Sequence, residues 1–289
     1  MPQRKIFWAA NVRTKSFAQR LEAATAGGFT EMSIFPLDVK NFVAEGLSLA
    51  QMRGEAADHG VRISVLDPFA LWVPDATPAA WASPADLQFV NFTEDDIFRM
   101  AEGLGVESLN LIETFGNPVD TEAAAERFAR LAGRCAGYGL RIQLEFMPFS
   151  GIADLAKAWD IVRLAGAPNG GLTFDTWHYF RGNVNEALLR TIPGERIFQV
   201  QFADATWALK GTLVEDLLHH RLFPGEGEFP LREVARVLQE TGADGAVGVE
   251  LFSDRIDAMT AREAGSRVSE SLHQLLASVP HSTPSPFPQ

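Results

Sequence analysis

The run LTFDTWHYFRGN, residues 172–183, decides how this chain is read. Leu172, Thr173 and Phe174 are residues of a buried strand, yet the strand runs out into an acid, Asp175, with a histidine, His178, three positions further on. Working outward, seven more strand-like runs appear: KIFWAA (5–10), EMSIF (31–35), RISVLDPF (62–69), SLNLIE (108–113), RIQLEFM (141–147), IFQVQFAD (197–204) and AVGVELF (246–252). The run containing Asp175 extends from 171 to 177 and makes eight. Between them lie stretches with apolar residues near every 3.6 positions, such as SFAQRLEAATAGG (16–28), TEDDIFRMAEGLG (93–105), TEAAAERFARLAGRCAGYG (121–139) and PLREVARVLQETG (230–242), several closing on the glycine of a helix C-cap. Thr93 with Asp96, and Thr121 with Glu122, mark helix starts.

Strand and helix in regular alternation predict parallel βα units. Eight of them predict a (β/α)8 TIM barrel in a single domain over residues 1–278, since such barrels usually take about 250 residues. The rival, an open doubly wound sheet, lacks its G-x-G-x-x-G after the first strand. Residues 279–289, VPHSTPSPFPQ, form a Pro-rich C-terminal tail with no strand or helix period. The longest irregular connection, 71–91, holds three prolines and two tryptophans and reads either as a lid over the barrel mouth or as a surface excursion.

Composition narrows the function classes. The chain has 289 residues, 46% hydrophobic, and a formal charge of −12, which argues against a phosphate-backbone partner because such affinity comes mainly from Lys and Arg. The single cysteine, Cys135, forms no internal disulfide and reads as a small core residue. No apolar run approaches the roughly 18 residues of a membrane span, and the first residues lack the apolar core of a secretory signal, so a cytoplasmic protein is expected, with no nucleic-acid or membrane partner.

Barrel chemistry sits where the strands finish, so polar groups there are read first as function. Four consecutive strands provide them: Glu145 in LEFM, Asp175 in FDTWH, Gln201 in QVQFAD and Glu250 in VELF. Three converging carboxylates repel one another unless a positive charge sits among them. A divalent cation meets that need, and the donor set of three carboxylates and one amide suits Mn2+ or Mg2+, tolerates Co2+, and suits zinc poorly. The alternative is that each acid pairs with an arginine from a loop. His178 is read as a metal ligand, a substrate hydrogen-bond partner or a support for Asp175, with the second and third roles favoured, and Arg221, in HHRLFPGEGEFP (219–230), as a contact to a substrate hydroxyl or carboxylate. Trp72 and Glu113, after the third strand and at the end of the fourth, complete the candidate substrate contacts. The expected mouth is also apolar, drawing on Phe35, Trp72, Trp81, Phe115, Met147, Phe149, Trp177 and Trp207.

Taken together, LEFMP (144–148), AWDIVRLAGAPNGGLTFDTWHYFRG (158–182), VQFADA (200–205), RLFPGEGEFPLREVARVLQETGADG (221–245) and VGVELFSD (247–254) resemble the xylose-isomerase-like barrel superfamily, the sugar phosphate isomerases and epimerases. The first half resembles it only in strand–helix order and in GGFTEMSIF (27–35). The resemblance implies a metal held by Glu145, Asp175, Gln201 and Glu250, with His178 and Arg221 facing the substrate. It departs at Gln201, where many members have histidine. The superfamily's DNA-repair endonucleases need additional histidines, and this chain has Asp67 and Glu113 at the ends of the third and fourth strands instead.

The implied chemistry is removal of a proton next to a carbonyl through a metal-stabilised enediolate, with Glu145 and Glu250 exchanging the proton. The expected enzyme is an isomerase or epimerase of a keto-sugar or related polyol. A lyase or dehydratase acting on an inosose-like, 3-dehydroshikimate-like or oxidised-glycoside substrate is the second reading. A metal-binding, non-catalytic partner subunit is the third, motivated by the tail. No glycine-rich phosphate cradle is evident, which favours an unphosphorylated keto-sugar, cyclitol or glycoside-like substrate. Helical faces rich in Ala and Leu leave room for a homo-oligomer.

Overall fold

The computed structural model describes residues 4–73 and 88–279. Seven strands pair in chain order, every neighbour parallel: β1 (Glu31–Ile34), β2 (Arg62–Phe69), β3 (Ser108–Leu111), β4 (Arg141–Glu145), β5 (Gly170–Asp175), β6 (Ile197–Phe202) and β7 (Ala246–Val249). The first predicted strand, 5–10, is shorter than the sequence implies. Lys5 bridges to Val247 of β7 and Phe7 to Met32 of β1, both parallel. Backbone hydrogen bonds from Ile6 to Val247, from Phe7 to Glu31 and from Ser33 to Phe7, at 2.9–3.0 Å, fill the eighth place and close the ring. The chain is a single TIM-barrel domain.

The first stave is short because a 3-10 turn, Ala9–Val12, begins directly after Trp8. The Asn11 carboxamide substitutes for the missing strand. It donates to the Val249 carbonyl (2.7 Å) and accepts from the Leu251 amide (2.9 Å), so the top of β7 keeps its partners. Gly248 permits the close approach on the other side, since a methyl there would meet the Ile6 carbonyl and lie 2.7 Å from the Trp8 indole.

Helices between the strands start as their caps dictate. Ser16, Ser48, Thr93, Thr212 and Thr260 each form a reciprocal capping box with the side chain three residues on. The helix Thr121–Gly137 is capped by Asp120, not by Thr121 as the sequence implies; its carboxylate accepts the Ala123 amide at 2.8 Å. The outer core is one continuous apolar layer between helices and strands. Among the described residues no helix is long and apolar enough to cross a membrane.

The barrel interior has two chemically different sides. Ile6, Trp8, Val65 and Ala246 form a small apolar cluster on one. On the other, Gln143 of β4 and Gln199 of β6 both donate to the Ser108 hydroxyl of β3, at 3.4 and 3.3 Å, reaching across the lumen. At the amino-terminal end, Arg4 and Arg62 pair with Glu31 and Glu107, two cations against two anions.

Above β6, Asp204 fixes the segment that carries Arg221. Its backbone exchanges hydrogen bonds with Leu222 (2.9 and 2.8 Å), and its buried carboxylate accepts the amides of Ala205, Gly225 and Phe229 at 2.9–3.0 Å. Asp204→Ala leaves these donors unpaired, so calorimetry should register a loss of about 3 kcal/mol, since each orphaned buried group costs about 1–3 kcal/mol. For a chain of this size that loss lowers Tm by roughly 6–12 °C; an unchanged Tm contradicts this role.

Candidate functional site

Parallel register brings the predicted strand ends together. Glu145 pairs with Thr173, and Asp175 with Gln201, at the carboxyl ends of β4, β5 and β6. Asp175 ends its strand and caps the helix Thr176–Arg181, accepting the His178 amide at 2.9 Å through Oδ1. Its Oδ2 accepts Arg221 Nη1 at 2.7 Å. The same guanidinium nitrogen lies 3.4 Å from Glu250 Oε2, and Nη2 lies 3.5 Å from His178 Nε2. The Arg221 side chain is fully buried, packed over the Trp177 and Phe252 rings at 5.1 and 5.4 Å. His178 Nε2 is also 3.4 Å from Glu145 Oε1. Asn110 ties the far side: its Nδ2 donates to Asp67 Oδ1 (2.8 Å) and Glu145 Oε2 (2.5 Å), and its Oδ1 accepts the Thr173 hydroxyl (2.7 Å).

Charge in this cluster is not balanced. Asp67, Glu145, Asp175 and Glu250 are all buried, and among the described residues the guanidinium that meets this group is Arg221, which pairs with Asp175 and Glu250. Burial opposes ionisation of Asp175, but the Arg221 charge, the neighbouring His178 and their hydrogen bonds outweigh it and hold its pKa below the ordinary value. Glu250 goes the other way. Burial pushes its pKa well up, Arg221 offsets only part, and Asp67, Glu145 and Asp175 add to the rise. Asp67 is pushed up to about 8 by burial and by Glu145, against the Asn110 hydrogen bond.

A loop arginine pairs with two of the strand-end acids, Asp175 and Glu250, and its single positive charge leaves negative charge that a further cation would offset. Glu145, Asp175 and His178 each offer a ligand atom, all within 4.8 Å of one another. Gln201 is fully buried with both amide atoms lacking a partner, an arrangement that leaves an oxygen free for a ligand. The donor chemistry fits a divalent metal.

A cavity of about 700 Å³ opens above the cluster. Glu145, His178, Arg221 and Glu250 line it, as do Phe35, Phe115, Met147 and Phe149. Two other predicted substrate contacts, Trp72 and Glu113, are not among the residues that line it. Trp72 is fully buried behind the barrel wall, donating from its indole to the Ile112 carbonyl (2.8 Å) and standing edge-on to Phe128. Glu113 turns away from the cavity, and its carboxylate accepts the amides of Phe115 (2.7 Å), Gly116 (3.3 Å) and Gly151, tying two loops together. Trp177 lies behind Arg221, with its indole donating to Asp216 at 3.1 Å, and Trp207 packs on Phe180 and Phe229. Trp81 and positions 74–87 of the expected lid lie outside the described residues, as do tail residues 280–289. Asp67, Asn110, Phe89 and Phe252 join the site without having been assigned to it from sequence. Asp67 did carry the signal of the others, an acid near the end of an apolar run.

A barrel with acids gathered at the carboxyl ends of its strands is the architecture of a metal-site α/β barrel. Residues 21–274 match the xylose isomerase-like TIM barrel family, and the chain belongs to it. Among characterised relatives, a 3-dehydroshikimate dehydratase of Pseudomonas putida is 28% identical over 261 residues, 89% of this chain and 39% of the relative. An inosose isomerase of Bacillus velezensis is 29% identical over 158 residues, 54% of this chain and 55% of the relative. The chain thus spans about two-fifths of the first relative's length and about half of the second's. The fold matches a crystal structure of the IOLI protein with a bound zinc atom, with a TM-score of 0.82, 19% identity and coverage of 96% of this chain and 99% of that one.

Arg221→Met removes the charge facing two buried carboxylates. Breaking a buried pair in this way typically costs about 3–5 kcal/mol, so denaturant unfolding of the metal-free protein should show a loss of that order. A loss below about 1 kcal/mol, typical of exposed pairs, contradicts the geometry.

Proposed function

We propose that the protein is a divalent-metal-dependent enzyme that removes a proton next to the carbonyl of an unphosphorylated keto-sugar or cyclitol, acting as an isomerase or epimerase. The observation that carries this reading is the excess of buried carboxylates around Arg221 at the base of an open cavity. Glu145, Asp175, Gln201 and Glu250 would hold the metal. The partnerless Gln201 amide supports its place in that set. Three carboxylates with an amide favour Mn2+ or Mg2+, whereas recruitment of His178 in place of Gln201 would favour zinc. When bound, the cation supplies Lewis-acid polarisation of the substrate carbonyl.

The remaining work falls to the chain. Glu145, held by Asn110, is the base that takes the carbon-bound proton. Glu250, on the other side of the site, exchanges the proton with it. Arg221 and His178, both on the cavity and within 3.5 Å of each other, orient substrate oxygens.

A second reading is a dehydratase or other lyase, in which the same deprotonation is followed by loss of a β-oxygen substituent. Two observations favour it. The relatives aligned over 84–89% of this chain are 3-dehydroshikimate dehydratases, whereas the inosose isomerase match covers about half. Asp67 also places a further carboxyl on the cavity, its pKa raised by burial and by Glu145, available to a departing oxygen.

Proton NMR in D2O with a panel of inososes, 3-keto-glycosides and 3-dehydroshikimate separates the two. Deuterium at a retained carbinol carbon marks the isomerase, and a new enone or aromatic signal marks the lyase. Chelation of divalent ions should abolish either reaction, and Glu250→Gln should lower kcat by about 10²–10⁴, the range for a proton-transfer group. Full activity in chelator, or in Glu250→Gln, refutes the proposal.

Gln201→Leu tests the ligand set without turnover. It removes two unpartnered polar atoms, so the metal-free Tm should hold or rise. Mn2+ affinity measured by calorimetric titration should fall at least tenfold. Unchanged affinity removes Gln201 from the set.

A further inference from the structure

The cavity brings the acid cluster together with a lining that is largely apolar, more than a bare sugar needs. Asp67, Glu145, His178, Arg221 and Glu250 of the cluster form its carboxylate floor. The apolar lining includes Phe35, Phe89, Phe115, Met147, Phe149 and Phe252. Three of these rings form a continuous aromatic corner. Phe35 stands edge-on to Phe89 at 5.1 Å and stacks on Phe252 at 6.1 Å with 14° between planes. Phe89 and Phe252 are only partly buried, so parts of their surfaces remain accessible. Thr14, Asp38 and Thr114 also line the cavity, as do two ion pairs, Arg13 with Asp257 (2.6 Å) and His219 with Asp254 (2.8 Å).

A volume of about 700 Å³ lies in the range that encloses a drug-sized ligand. Hydroxyls lodged against this apolar lining would lose water without gaining partners, which is unfavourable. A substrate with a polyhydroxy ketone at one end and a flat apolar group at the other satisfies both halves. We infer that the natural substrate is a keto-sugar glycoside bearing an aromatic aglycone, with the sugar ketone on the carboxylate floor and the aryl ring in the corner formed by Phe35, Phe89 and Phe252. This rests on the proposed function above and names the substrate class of the same site. Rings rather than alkyl chains are favoured because Phe35, Phe89 and Phe252 offer the edge-on and stacked geometries in which aromatic pairs attract.

The test compares methyl and phenyl 3-oxo-β-D-glucopyranoside on the Mn2+-supplemented full chain. Dissociation constants come from quenching of tryptophan fluorescence, and deuterium incorporation from D2O is followed in parallel. The phenyl compound is expected to bind at least tenfold more tightly, a difference of about 1.4 kcal/mol. In Phe252→Ala and in Phe89→Ala that ratio should fall below threefold, with a Mn2+ titration showing that each variant is still folded at the site. Equal affinities in the unmodified protein, a ratio untouched by both substitutions, or binding of neither compound overturns the inference. The exchange measurement keeps the two claims apart. Deuterium incorporation into the methyl compound without aryl preference defeats the aglycone subsite alone, whereas aryl preference without incorporation into either compound defeats the proposed chemistry.

Discussion

The structure depends on a mismatch of charge at one end of the barrel. At the amino-terminal end Arg4 and Arg62 meet Glu31 and Glu107 in equal number, and a closed ion-pair network results. At the carboxyl end four buried acids gather, two of them paired with Arg221, and the excess shows as raised pKa values at Asp67 and Glu250. Buried charge without compensation is among the most costly arrangements a fold can hold. Its concentration at the mouth, against the balanced pairs at the base, marks the mouth as the candidate site.

The local architecture exists to hold that mismatch in place. Asp175 is at once a strand end, a helix cap and the partner of Arg221, so its carboxylate has little freedom. Asn110 and Thr173 fix Glu145 from below, while Asp204 fixes the loop that brings Arg221 in from above. Gln201 stands apart: it is buried as deeply as Asp175, yet among the described residues no group answers its amide.

Much of this was legible in the sequence because parallel barrels repeat a simple unit. An apolar run, a polar terminus and a glycine-closed amphipathic stretch recur along the chain, and the acids at 145, 175 and 250 with Gln201 follow from their positions at strand ends. Three things were not legible. The first stave is cut short by the turn at Ala9–Val12, and only the Asn11 carboxamide, acting over 238 residues of separation, compensates. Trp72 and Glu113 sit near strand ends but point into packing and loop closure, because sequence position fixes depth along a stave and not the direction of a side chain beyond it. The aromatic corner joins Phe35, Phe89 and Phe252 from three distant segments, and no local pattern announces a contact of that kind.

The central claim is that the acids at the mouth share one cation. Diffraction from crystals grown with MnCl2, with data collected at the manganese absorption edge, tests it most directly. The account predicts one strong anomalous peak within coordinating distance of Glu145, Asp175, Gln201 and Glu250, with Arg221 Nη1 no longer pointing between Asp175 and Glu250 unless both carboxylates serve metal and guanidinium together. Featureless density at that point, with manganese absent or bound only on the protein's exterior, would contradict it.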